Sequence, residues 1–137
     1  MKKKMTVSKM KNKVVWPVFS RFIRLRDCLE TTKTPDFGLC CCCGKRYPFK
    51  SLHAGHFIQG RHNANLFEET GCHAQCYYDN IQLSGNVLVY RRFIINKYGE
   101  GYDLQLEENN KQIKSFTIPE LEQILFKYKY KIKELEG

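Results

Sequence analysis

No apolar run in this 137-residue chain is long enough to cross a bilayer, so no membrane-spanning helix is expected. No apolar segment follows the opening Met1-Lys2-Lys3-Lys4-Met5, so a secretory signal is not expected there. Acidic residues are scarce: 14 Asp and Glu stand against 23 Lys and Arg, a formal net charge of +9. A basic chain without membrane features most often meets nucleic acid. An even set of cysteines is also missing. There are seven, and their Cys-x-x-Cys and Cys-x-x-x-Cys spacings suit an intracellular metal site better than a disulfide framework. There is no internal repeat. The length argues for one domain, with a modest core that a bound metal would help to hold.

What the chain does have is concentrated. Six of its seven cysteines and all four histidines lie between Cys40 and Asn86. Residues 1–15 read as a basic flexible arm, since the first 13 residues carry six lysines and no acid. The single domain is then 16–137. A helix is expected over Trp16–Leu29, with Pro17 in its first turn. Leu39–Phe57 reads as a short hairpin with Cys40–Cys43 as a knuckle, and Cys72–Leu83 as a helix. Asn86 and Gly99 bracket a helix over Val87–Lys97. Residues 100–116 suggest a short helix and a turn. The last helix starts near Thr117, with Pro119 in its first turn and Leu121, Ile124, Leu125, Tyr128, Ile132 and Leu135 at helical spacing.

Structural zinc sites take four Cys or His ligands, commonly as two close pairs. Cys40 and Cys43 form one pair, and Cys76 belongs to the second. The fourth ligand is Cys72, one helical turn before Cys76 if this stretch is helical, or Asp79, where a Cys-x-x-Cys pair would need cysteine. Metal-free thiols in a small core are the plain alternative. Cys41 and Cys42 have no ligand role in this reading, and Cys28 reads as core. His56, at the end of an expected strand before a polar loop, is the leading general base, since a neutral imidazole can deprotonate a water. His53 is placed to bind a divalent ion. Arg61 and His62, in the following loop, are placed to clamp a phosphate.

His53-Ala54-Gly55-His56-Phe57, Cys72-His73-Ala74-Gln75-Cys76 and Ser84-Gly85-Asn86 ahead of Tyr90-Arg91, with Arg24-Leu25-Arg26-Asp27 upstream, resemble the NinG/Rap proteins of lambda-like phages. The resemblance spans about residues 21–135. It implies an α+β fold: a small HNH-like ββα-metal core with a structural zinc knuckle, flanked by N- and C-terminal helices. It implies an endonuclease acting on branched recombination DNA such as Holliday junctions and D-loops, in the cytoplasm of a bacterial host. It makes His56 the general base and Asn80 the last polar residue, which with His53 holds a catalytic Mg²⁺ or Mn²⁺. Arg91 and Arg92 join Arg61 and His62 as expected DNA contacts. A homodimer and a recombinase partner are further expectations. Two departures stand out: Gly71 where the middle asparagine is usual, and Asp79 in place of a fourth cysteine.

Two other functions fit parts of the pattern. A zinc-stabilised DNA-binding module without catalysis is favoured by Gly71. A metal-storage or redox protein is suggested by the cysteine run alone, and the histidines and basic ends argue against it.

Overall fold

The computed structural model describes residues 4–137. Helix starts at Thr6, whose side chain accepts from the Lys9 amide at 3.1 Å. α1 (Val7–Lys9) passes through a π-helical stretch, Met10–Val15, into α2 (Trp16–Thr32). The widening lies just before Pro17, which has no amide hydrogen to donate and crowds the preceding turn. This overturns the expected flexible arm over residues 7–15. Met10 and Val15 are buried against Leu121 and Leu125, with Val14 and Val18 packed alongside. Those residues recur on one face of the helix while Lys9 and Lys13 stay exposed. Residues 1–3 of the expected arm lie outside the described residues.

Two small antiparallel sheets follow. β1 (Phe37–Leu39) pairs with β2 (Arg46–Pro48), and the cysteine knuckle fills the connection. β3 (His53–His56) pairs with β4 (Cys72–Gln75), in a register that sets His53 opposite Gln75 and His56 opposite Cys72. The long β3–β4 connection carries α3 (Asn63–Leu66). The expected Leu39–Phe57 hairpin is therefore divided between two sheets. The expected Cys72–Leu83 helix is corrected too: its first four residues are strand, and helix appears only as a π-helical turn, Tyr78–Gln82. Cys72 packs with Phe19, Phe22 and Ile23 of α2, whereas His73 sits edge-on to Phe93 at 4.8 Å. With both faces buried, β4 shows no polar alternation, and pairing with β3 decides its conformation.

The outer edge of β4 is closed by side chains and loop rather than by a third strand. Asp27 accepts from the Ala74 amide at 2.7 Å, and the Cys41 amide donates to the Ala74 carbonyl at 2.9 Å. Arg26 donates to the carbonyls of Glu69 and Cys72, each at 2.8 Å. The Arg26–Asp27 pair thus satisfies an otherwise open strand edge from inside α2.

α4 (Val87–Tyr98) and α5 (Tyr102–Asn109) cover the other side of β3 and β4, around Phe57, Tyr90, Ile94 and Leu106. α6 (Ile118–Glu136) begins with a reciprocal cap between Thr117 and Glu120 and lays Leu121, Leu125, Tyr128 and Ile132 into the core. Tyr128 and Ile132 meet α2 there. The whole is mixed α and β, helices around two small sheets. Among the described residues no helix is long and apolar enough to cross a membrane.

Candidate functional site

Cys40, Cys43, Cys76 and Asp79 each bring one ligand atom to a common point, all within 4.8 Å of one another. The knuckle is wound by the Gly44 amide donating to the Cys40 carbonyl at 2.9 Å and the Cys40 amide to Lys45 at 3.0 Å. Cys40 Sγ and Cys76 Sγ both lie 3.2 Å from Asp79 Oδ2, and Cys43 Sγ lies 4.0 Å from Cys76 Sγ. Tetrahedral zinc with Zn–S near 2.3 Å sets its sulfurs about 3.8 Å apart, so the spacing fits such an ion. Asp79 Oδ1 accepts from Asn86 Nδ2 at 2.9 Å, an outer contact that orients the carboxylate. Burial opposes the Asp79 charge, but hydrogen bonds from Cys40, Asn86 and Cys76 hold its carboxyl below the usual range. Burial pushes the Cys76 thiol up to about 11. A coordinated cation would reverse this, because a ligating thiol is deprotonated. The cluster can hold a metal ion such as zinc.

A second site lies on the other side of the same turn. A cleft of about 530 Å³ is lined by His53, His56 and Asn80, by Trp16, Arg24, Lys50 and Arg61, and by Ile81 and Gln59. Among the described residues no Asp or Glu lines it. His56 is only 7% exposed and stacks on Trp16, ring centroids 5.2 Å apart. Its Nε2 lies 3.0 Å from the Leu66 carbonyl. A carbonyl can only accept, so Nε2 carries the proton and Nδ1 keeps its lone pair. Burial lowers the His56 pKa, and the nearby Arg61 charge adds to that, against the Leu66 carbonyl. The ring is thereby kept neutral.

His53 Nδ1 and Asn80 Nδ2 are 3.0 Å apart. As placed, the amide Nδ2–H donates to His53 Nδ1; turning the amide over would let Nδ1–H donate to Oδ1 and leave His53 Nε2 a lone pair for a ligand. Arg61 holds its guanidinium 4.3 Å from the Trp16 ring, and Arg24 lies 4.6 Å from Phe49. Aromatic faces thus position two cations at the cleft without neutralising them.

The two sites share a wall. Gln75 is fully buried, and its Nε2 donates to the Gly85 carbonyl at 2.8 Å and lies 3.2 Å from Cys42 Sγ. A Cβ at Gly55 would sit 1.9 Å from Gln75 Oε1 and 3.1 Å from Asn80 Oδ1, so only glycine fits between them. Ser84, Gly85 and Asn86 take three left-handed conformations in succession, φ 49°, 92° and 47°. That reversal lets the Gly85 amide reach the Asp79 carbonyl at 2.9 Å. The Gln59 side chain fills the space a Cβ at Gly85 would need, and donates to the His56 carbonyl at 3.0 Å.

The turn that carries Leu66 is fastened as well. Asn65 Nδ2 donates to the Leu106 carbonyl at 3.0 Å, and Asn63 bridges Lys11 and the Lys114 carbonyl, each at 3.0 Å. Asn65 therefore helps to hold the carbonyl that orients His56. Gly71 plays a backbone role, its carbonyl accepting from the Phe57 amide at 2.9 Å.

The structure brings His53, His56 and Asn80 to one cleft, and Cys40, Cys43, Cys76 and Asp79 to one cluster. Of the two alternatives for the fourth ligand, Asp79 is in the cluster. Cys72 lies opposite His56 in the α2-facing core, because a strand cannot place residues 72 and 76 as a helix does. Arg91 is not a free cation. It pairs with Asp103 and Glu107 and lies over Phe57. Arg92 is exposed on α4 and does not line the cleft, nor does His62, which folds over Gly60. Trp16, Arg24, Lys50 and Gln59 were not anticipated at the cleft. Trp16 reads in sequence as core, and Arg24 sits among neighbouring arginines that look like helix surface.

The arrangement belongs to a family of bacteriophage proteins: the chain is a member of the NinG family, whose model, described as bacteriophage lambda NinG protein, matches residues 1–137. Two relatives are both named Protein ninG, one from Escherichia phage 933W and one from Enterobacteria phage VT2-Sa. Each is 33% identical over 85 residues, which is 61% of this chain and 42% of the relative. The match thus spans less than half the length of those proteins. No solved structure matches the chain.

Proposed function

We propose that the chain is a metal-dependent endonuclease of the HNH type that cuts branched DNA in phage recombination, in the cytoplasm of a bacterial host. The observation that supports this best is His56 with its Nε2 3.0 Å from the Leu66 carbonyl, which leaves Nδ1 as the free base of the neutral ring, in a cleft lined by three cations and no acid. Hydrolysing a phosphodiester needs a base for the attacking water and positive charge around the phosphate. His56 Nδ1 takes the water proton and later releases it to solvent. Arg24, Lys50 and Arg61 receive the phosphate oxygens, and Leu66 keeps the imidazole in one tautomer.

His53 and Asn80 are the donors that would hold a divalent ion, which when bound would stabilise charge on the leaving oxygen. An imidazole and an amide without a carboxylate suit Mn²⁺ better than Mg²⁺, which is normally held by carboxylates. Cys40, Cys43, Cys76 and Asp79 would hold a zinc ion, which when bound would tie the knuckle to the Asp79 turn and so help to fold the unit. The lack of a cleft carboxylate also favours a second reading, a zinc-stabilised junction-binding module without catalysis. Incubation with a four-way junction and with linear duplex, in Mg²⁺ and in Mn²⁺, decides between them. Metal-dependent cutting of the junction is expected, faster with Mn²⁺. Junction binding without cutting in either metal would leave the binding module.

A further inference from the structure

Tyr77, Tyr78 and Ile81 are 54%, 56% and 51% exposed, an unusual density of large apolar side chains around one short turn. The reason is visible in the flanking residues. Asp79 is tied into the thiol cluster and Asn80 to His53, so the turn cannot rotate to bury its other side chains. Tyr77 stands edge-on to His53 at 6.0 Å, and Ile81 lines the basic cleft beside Asn80.

We propose that Tyr77, Tyr78 and Ile81 form a stacking platform for unpaired bases at the mouth of the cleft. The inference rests on the nucleic-acid part of the function proposed above, and goes beyond it by naming what distinguishes branched from linear DNA. Its occupant is argued from charge. Arg24, Lys50 and Arg61 line the same cleft as Ile81 and His53, the ring that Tyr77 stands against, and none has a carboxylate partner among the described residues. A polyanionic strand entering that cleft brings its bases against the tyrosines. Bases inside a duplex are stacked on one another and offer no free face. Bases at a branch point or in a single strand do, and aromatic side chains stack on them with little regard to sequence. The platform therefore discriminates by pairing state.

The test measures binding in EDTA-free buffer without added divalent ion, so it does not depend on cleavage. The probes are a four-way junction carrying 2-aminopurine at the branch, a single strand, and a linear duplex. Tyr77→Ala/Tyr78→Ala should weaken junction and single-strand binding about ten-fold or more and abolish the 2-aminopurine quench, with duplex affinity within about two-fold. Tyr77→Phe/Tyr78→Phe should keep wild-type behaviour, since stacking needs the ring and not the hydroxyl. Equal losses on all three probes would overturn the platform. So would a dimer in sedimentation that the alanine variant dissolves while its preference for unpaired DNA persists, which would make the surface an interface between copies. A wild type that shows the platform effect yet cuts nothing overturns only the endonuclease reading.

Discussion

Asp79 and Asn80 are consecutive residues of one turn, yet they serve sites of opposite construction. At the knuckle, three sulfurs converge on one carboxylate whose second oxygen is held by Asn86, and the polar atoms are turned inward on one another. At the cleft, cations and imidazoles stand apart with no acid between them, and His56 retains an unprotonated nitrogen. A site whose donors face each other can bind an ion and hold chain segments together. One whose charges lack partners is suited to an anionic ligand brought from outside. The contrast separates a part built to hold the fold together from a part left open to an anionic ligand.

The largest effect should come from breaking the knuckle. Cys76→Ser removes a central ligand and should abolish zinc retention in native mass spectrometry, with loss of cooperative unfolding, because metal binding and folding are coupled in small sites. A chelator should lower the melting temperature of the wild type by about 10 °C or more. Asp79→Cys should restore a four-thiolate set and keep both metal and fold. A wild type that carries no zinc and ignores the chelator would remove the distinction between the two sites.

His56→Ala should act the other way, reducing single-turnover cleavage by about a hundred-fold or more while junction affinity barely changes. The wild-type rate should rise with pH and level off, with a midpoint below the ordinary histidine value, since burial lowers the His56 pKa. His73 is lowered further, again by burial first. For both, the unfolded chain binds the proton more readily than the folded one. Their contribution to stability is therefore full above about pH 6.5 and is lost as the pH falls toward the folded values. Melting temperatures across pH 5–8 check the sign.

Gly55→Ala tests whether the sites are separable. The added methyl meets Gln75 Oε1, and overpacking of this kind costs about 1–3 kcal/mol. Thermal unfolding should show that loss, with junction cleavage falling at the same time because Asn80 borders the same space. Cleavage unchanged at a lowered melting temperature would show the wall to be one-sided. The smallest effects concern arginines. Arg61→Ala should reduce the slope of log affinity against log salt by about 1, as for one lost phosphate contact. Arg91→Ala should leave the slope alone and lower the melting temperature, because Arg91 is spent on Asp103 and Glu107.

Local signals account for what could be read in advance. The knuckle Cys40–Cys43, its partner Cys76 and the cleft residues His53, His56 and Asn80 were legible because spacing and the family pattern carry them. So was the last helix, through its Thr117 cap and apolar stripe. The failures are all long-range. Cys72–Gln75 looks helical alone, since cysteines four apart share a helix face, and becomes strand only by pairing with His53–His56. The lysine-rich start looks like an arm until Leu121 and Leu125 arrive from more than a hundred residues away to bury Met10 and Val15. Arg91 looks free because its carboxylate partners lie across the next turn. Trp16 gave no sign that one of its neighbours would be a histidine from β3.

Adjacency at positions 79 and 80 also bears on how such a chain tolerates changes of length. One residue inserted into a helical turn rotates everything beyond it by roughly 100°. An insertion between Asp79 and Asn80 would swing one of them out of its site, and no loop lies between them to absorb the change. The same holds for a deletion anywhere from Cys76 to Asn80. Residues 111–113, exposed throughout and lying between α5 and the Lys114 carbonyl that fastens Asn63, have no such double duty. Among natural or laboratory length variants, residues 76–86 should persist as a single inherited cassette, while length drifts between α5 and α6.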